Sequence, residues 1–211
     1  MTRTWILDLD NTLYPRTSGL FAEVDRRIDA YMGEVLGIAV EAIPELRRRY
    51  RAVYGVTLGG LLAHHGVFPD HYLSFVHDVP LAEYLAPDPV LAEVLGRLPG
   101  RKVVFTNGSE SHARAVLGLL GVEAAVEAVF DIAFMGYVPK PDPRGYRRLL
   151  EALDTEAAAC WMVDDLVENL DTGRSLGMTT VLVGPEPSPP HLHLASAREL
   201  GTLGHLDVSP A

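Results

Sequence analysis

The sequence predicts an α/β fold: a doubly wound, Rossmann-like parallel sheet core with a small α-helical cap inserted after the first strand. Three observations carry this. Short apolar runs alternate with helical patterns over most of the chain, as expected of a parallel sheet covered on both faces. One long stretch, 16–86, lacks such runs and shows helical periodicity instead. Acidic or polar residues stand where the apolar runs end, which is where ligands gather in open α/β sheets. The division is therefore a core of 1–15 and 87–211 around a cap of 16–86.

Taken in order, Trp5, Ile6 and Leu7 form a continuous apolar run, the mark of a strand buried on both faces, and Asp8 and Asp10 emerge at its end. In the cap, Leu20, Val24, Ile28, Tyr31, Met32 and Val35 recur at three- and four-residue spacing and mark one helical face. Leu46, Tyr50, Val53 and Tyr54 suggest a second helix, and 61–65 a third. An insert at this point must hang over the first strand's carboxyl end. Strands are expected at 102–106, 131–135, 159–163 and 179–183, and helices at 89–98, 109–120, 143–153 and 167–176. The tail beyond Pro185, rich in Pro, Ser and His, is expected to be irregular apart from a helical turn near 195–200.

Composition narrows the function. A chain of 211 residues, 48% hydrophobic, can bury a substantial core. Its 18 basic and 28 acidic residues give a net charge of −10, which argues against a nucleic-acid polymer or an anionic membrane as partner. Phosphate can still bind where a cation and a few donors reverse the local field. The single Cys160 cannot form an internal disulfide, and its apolar setting suggests a buried thiol. No secretory h-region and no bilayer-length apolar run are apparent, so a cytoplasmic location is expected.

Four polar sites follow the expected strands: Asp8 with Asp10, Thr106-Asn107, Lys140, and Asp164-Asp165. A doubly wound sheet would bring them together, and each residue type suits phosphoryl transfer. A carboxylate can attack phosphorus to give an acyl phosphate, and Asp8, first off the strand, is the candidate nucleophile. Asp10 is placed to protonate a leaving alkoxide and later to deprotonate water. Lys140 supplies positive charge, while the Thr106 hydroxyl and the amides of Asn107 and Gly108 offer donors ahead of a helix. Asp164 and Asp165, with Asp8, provide the hard oxygen ligands that suit Mg²⁺. Without such an ion, four acids around a phosphate would be untenable.

Through Asp8-Leu9-Asp10-Asn11-Thr12, Thr106-Asn107-Gly108, Lys140-Pro141 and Val163-Asp164-Asp165 with Asn169, the chain resembles the haloacid dehalogenase superfamily of phosphohydrolases. The resemblance implies Asp8 as nucleophile and Asp10 as general acid and base. It implies Mg²⁺ held by Asp8, the Asp10 backbone carbonyl and Asp165, with Asp164 as a further candidate, and phosphate held by Thr106 and Lys140. The insert looks like the family's small helical cap, which closes over the site. The dehalogenase branch normally lacks an acid at the position of Asp10, so the resemblance favours phosphate esters as substrates. More narrowly, residues 10–15, Tyr54-Gly55, Thr57-Leu58, Gly59-Gly60-Leu61 and Phe105-Thr106-Asn107 look like the pyrimidine 5′-nucleotidase subgroup, as do Asp164-Asp165 with Asn169. That implies hydrolysis of nucleoside monophosphates such as UMP or CMP. Leu166 departs from the pattern, since relatives often carry a small polar residue there. The alternative within the fold is a phosphatase for another metabolite, such as a sugar phosphate. A receiver-like phosphoacceptor would place its acidic pair before its phosphorylated Asp, and intact Asp8, Asp10, Lys140 and Asp165 disfavour a non-catalytic module.

Other motifs have plainer readings. His64 and His65 do not share a helical face, and Gly66 marks a helix end, so a capping role is expected. His191, His193 and His205 are expected to be solvated, Tyr50 and Tyr54 to be core, and the run Arg47, Arg48, Arg49 and Arg51 to be a solvated face. A calcium loop at Asp10-Asn11 fails because Leu13 and Gly19 replace its required glycine and glutamate.

Overall fold

In the computed structural model, which describes residues 3–205, β1 (Thr4–Leu7) is buried at every position. It runs parallel to β2 (Arg101–Phe105) on one side and β4 (Cys160–Asp164) on the other. The complete order is β3-β2-β1-β4-β5-β6, with β3 at Ala128–Phe130, β5 at Thr179–Val183 and β6 at Leu192–Leu194, all parallel. The chain winds outward from β1 through β2 to β3, then returns to the other side for β4, β5 and β6. That reversal opens a crevice at the carboxyl end of β1.

Two expectations about the sheet and the tail need correction. The strand expected at 131–135 lies at Ala128–Phe130. Asp131 ends it, because its carboxylate accepts the amides of Phe134 (2.8 Å) and Glu110 (2.9 Å) and turns the backbone out of the sheet. The tail is ordered: β6 pairs with β5, and a 3-10 stretch at Ala197–Leu203 buries Ala197, Leu200 and Leu203. His191 is therefore buried, with Nδ1 2.8 Å from the Thr180 hydroxyl, and His193 Nε2 lies 2.8 Å from the Gly184 carbonyl. Of the three histidines expected in solvent, only His205 is exposed.

The insert holds α1 (Leu20–Ala30), extended by a π-helical turn at Tyr31–Val35, then α2 (Ile43–Tyr54), α3 (Thr57–His65) and the unforeseen α4 (Pro69–Val76). Core helices follow: α5 (Pro89–Arg97), α6 (Glu110–Leu120), α7 (Pro143–Leu153) and α8 (Val167–Ser175). Asp88, Ser109 and Asp142 accept amides at the starts of α5, α6 and α7, as capping residues do. Alternate strand residues feed two cores. Trp5, Leu7, Val104 and Val163 pack with Leu91, Leu95, Val116 and Leu117 of α5 and α6. Ile6, Val103, Phe105 and Met162 share a cluster with Tyr146, Leu149 and Leu170 of α7 and α8 and with Tyr31, Ile43, Tyr50 and Leu73 of the insert.

Within the insert, α2 and α3 approach so closely that a Cβ on Gly60 would lie 2.0 Å from Tyr50 Cγ. The glycine pair is thus a packing device. Tyr50 is buried as expected, while Tyr54 is only half-buried. Arg47 leaves the expected solvated face: it shares the buried side of α2 with Ile43 and Tyr50 and pairs with Asp25 and Asp29 (2.7 Å) of α1. His64 and His65 do not cap α3. Their Nε2 atoms lie 2.8 Å from the hydroxyls of Tyr54 and Tyr50, and Gly66, at φ +60°, ends the helix. No helix among the described residues is long and apolar enough to cross a membrane.

Candidate active site

Asp8 extends the pairing of β1 by one residue, its amide donating to the Val163 carbonyl at 2.9 Å. The chain then turns back on itself. The amides of Thr12 (3.2 Å) and Leu13 (2.9 Å) both reach the Leu9 carbonyl, and Asn11 takes φ +64°, a conformation asparagine tolerates better than most residues. This turn brings the Thr12 hydroxyl to 2.9 Å from Asp8 Oδ2.

Lys140 Nζ donates to Asp8 Oδ1 at 2.7 Å, and to the Phe105 carbonyl and Asp164 Oδ2 at 2.8 Å each. All three of its N–H bonds are thereby engaged, so it acts on the site as a fixed positive charge. Its loop is gripped by Asn107, whose Oδ1 accepts the Lys140 amide at 2.8 Å while Nδ2 donates to the Lys140 carbonyl at 3.2 Å. The Gly108 amide, expected as a phosphate donor, is turned instead to Thr106 Oγ1 at 2.9 Å. Thr106 keeps its own hydroxyl proton uncommitted among the described residues.

Asp164 is fully buried, and donors saturate it: the Leu166 amide (2.9 Å), Asn169 Nδ2 (2.9 and 3.0 Å) and Lys140. Asp165 is more open and faces Arg16 at 3.6 Å. One oxygen from each of Asp8, Asp164 and Asp165 lies within 4.8 Å of the others. Burial pushes the Asp8 carboxyl up to about 8, with Lys140 pulling it down and Asp164 pushing it further up. Burial and the neighbouring Asp164 likewise raise Asp165 to about 6. Three acids facing one ammonium leave negative charge unbalanced.

Asp10 has different surroundings. Its Oδ1 accepts the Tyr14 hydroxyl (2.5 Å) and lies 3.0 Å from Nε2 of buried His112 on α6. Burial opposes the Asp10 charge, but His112 and Tyr14 outweigh it and hold the carboxyl below its ordinary range. The His112 ring stacks on His77, with centroids 4.3 Å apart and planes at 15°, and His77 Nδ1 meets Ser109 Oγ at 2.9 Å. Burial, aided by His112, pushes His77 down to about 3. Sequence reasoning missed Thr12, Tyr14, His77 and His112. Thr12 and Tyr14 stood inside the motif stretches without a role, and spacing along α6 gave no signal for His112.

A cavity of about 560 Å³ joins these groups. Asp8, Asp10, Thr106, Asn107, Lys140 and Asp165 line one wall, so six of the seven residues singled out from the sequence meet there. Asp164 stands behind Lys140. Phe21, Val24, Ile28, Leu73 and Val76 of the insert form much of the other wall, together with Arg47, Arg51 and His77.

Comparison with known proteins gives the family and the fold. The model of a family described as haloacid dehalogenase-like hydrolases matches residues 2–177. The chain is 26% identical over 196 residues to phosphate metabolism protein 8 of Saccharomyces cerevisiae, covering 85% of this chain and 61% of that protein. It is 33% identical over 114 residues to a phosphatase of Mycobacterium tuberculosis, covering 53% of this chain and 49% of that one. The chain thus spans less than two thirds of either curated relative. Its fold is similar to that of L-2-haloacid dehalogenase from Xanthobacter autotrophicus, with a TM-score of 0.64 at 20% identity over 99% of this chain and 100% of the other.

Proposed function

This chain belongs to the haloacid dehalogenase-like hydrolase family, and we propose that within it the protein is a Mg²⁺-dependent phosphomonoesterase. It works through an aspartyl phosphate and acts on nucleoside 5′-monophosphates. The observation that carries this reading is the pairing of two unlike acids on one cavity wall: Asp8 locked between Thr12 and Lys140, and Asp10 held apart from it by Tyr14 and His112.

In the first step a carboxylate oxygen of Asp8 attacks phosphorus. The ester P–O bond breaks, and Asp10 gives a proton to the departing alkoxide. The negative charge of an arriving phosphate favours the protonated Asp10 that this step needs. Water then attacks the acyl phosphate, Asp10 takes the water's proton, and Asp8 is regenerated as inorganic phosphate leaves. Thr106 is the donor available to a phosphate oxygen, while Lys140, through its charge, and Asn107, through its grip on Lys140, support the same end. The three clustered carboxylates, hard donors with charge to spare, fit Mg²⁺. Asp8 and Asp165 would hold it, with the Asp10 carbonyl that the family resemblance implies, and Asp164 would orient Lys140 from behind. Bound there, the ion supplies positive charge against the phosphoryl oxygens.

The acid at Asp10 supports an ester over a carbon–halogen substrate, since a halide leaves without a proton and an alkoxide does not. Both curated relatives bear names that concern phosphate, which supports the same side. The apolar wall of Phe21, Val24, Ile28, Leu73 and Val76 supports a substrate with a flat, weakly hydrated part such as a pyrimidine base. A sugar phosphate would leave that wall uncovered.

Phosphate release from UMP, CMP and glucose 6-phosphate, with Mg²⁺ or with chelator, tests the reading. Turnover is expected to need the metal, to favour the nucleotides, to fall to background in Asp8→Asn and to fall less in Thr106→Ala. An active Asp8→Asn, or turnover indifferent to chelator, rejects the mechanism. A preference for glucose 6-phosphate rejects only the substrate.

A further inference from the structure

We propose that His112 is a positioning residue for the Asp10 carboxyl, fixing one oxygen so that the other faces the reacting ester oxygen. This role presupposes the phosphomonoesterase reading and extends it to a residue outside the four motifs. Both hydrogen bonds to the carboxyl fall on Oδ1, from the Tyr14 hydroxyl and from His112 Nε2 at 3.0 Å. Oδ2 takes none from the described residues. It lies beside Gly108 on the cavity wall, 3.6 Å from where a Cβ on that glycine would stand. A carboxyl gripped by one oxygen from two directions cannot spin about its terminal torsion, which is otherwise soft.

The grip is itself supported. His112 is buried and its Nδ1 has no partner among the described residues, so the N–H that counts is the one on Nε2, aimed at Asp10. Its ring cannot tilt away, because His77 stacks on it and Ser109 both holds His77 and accepts the His112 amide at 3.3 Å. His77 comes from the end of α4, so the insert contributes a side chain to the order of the acid. Rigid placement of a reacting group can be worth orders of magnitude in rate.

The test separates protonation of the leaving group from general damage. 4-Nitrophenolate departs without a proton, whereas the alkoxide of UMP does not. In His112→Leu, kcat/KM for UMP is expected to fall about 30-fold and that for 4-nitrophenyl phosphate less than about threefold, with KM little changed. His112→Gln, whose amide nitrogen can replace Nε2, is expected to recover most of the loss for UMP. Equal losses for both esters, no loss, or a Gln variant no better than Leu would overturn the role while leaving the phosphatase intact. Should His112→Leu fail to fold, Tyr14→Phe must show the same ester-dependent loss, and its absence rejects the positioning. Wild-type protein inactive on both esters would instead reject the proposed function, and this role with it.

Discussion

The cavity has two walls of opposite character. The sheet ends supply acids, a lysine and a threonine, nearly every one tied to a named partner, and the lysine and the second acid of its pair are almost wholly buried. Across from them, α1 and α4 present mostly aliphatic and aromatic side chains, and Phe21 remains 40% exposed. A wall of interlocked charges tolerates little change, because each group is another's counter-ion. An apolar wall carries no such pairing, so its side chains, the exposed Phe21 above all, can vary more independently. The contrast sets a charged wall built at the sheet ends against a mostly apolar wall from the insert, with His77 crossing over to stack on His112. The two walls are therefore expected to fail in different ways.

The sharpest break is Lys140→Met. It strands Asp8 and Asp164 without their cation, and loss of one partner from a buried pair costs about 3–5 kcal/mol. Urea unfolding should show that loss alongside the disappearance of turnover, and unchanged stability would mean that the charged wall is not interlocked. A smaller effect comes from pH. In metal-free protein the folded-state value of Asp8, near 8, lies above its ordinary 3.8, so the folded form binds the extra proton and stability declines as pH rises through about 8. His77, held near 3, acts oppositely, but its contribution is complete above 6.5. Thermal melts between pH 6.5 and 8.5 should therefore show a falling Tm, which added Mg²⁺ restores most at the alkaline end. A flat profile would remove the case for crowded negative charge. The smallest effect belongs to the other wall. Phe21→Ala should raise KM for UMP about fivefold, the worth of roughly 1 kcal/mol of lost apolar contact, and leave kcat alone. A fall in kcat instead would show that the walls are not separable.

What could be seen in the sequence divides along similar lines. Trp5-Ile6-Leu7 and the run before Asp164 were legible because a strand covered on both faces must be apolar throughout. The four-part acid and lysine set was legible because each member follows such a run or its connecting loop. β3 was misplaced because three half-buried residues give no periodicity, and the end of the strand was decided by Asp131 bonding to the nearby Phe134 amide and the distant Glu110 amide. β6 was hidden by its His and by the prolines before it. Arg47 looked like one of a solvated row, although its spacing from Ile43 and Tyr50 put it on the buried side. His112 was invisible as a site residue because its partner lies 102 positions away. Spacing along one helix cannot report a contact made by the fold.

The placement of β1 has a consequence for how the protein comes into being. Its two flanking strands are made far apart in time, β2 midway along the described chain and β4 in its last quarter. During synthesis the early strand must wait, apolar and half-covered, until the ribosome has released residues from the far end. A nascent or truncated chain lacking β4 would expose that strand's open edge and hold no working centre, so competence and completion arrive together.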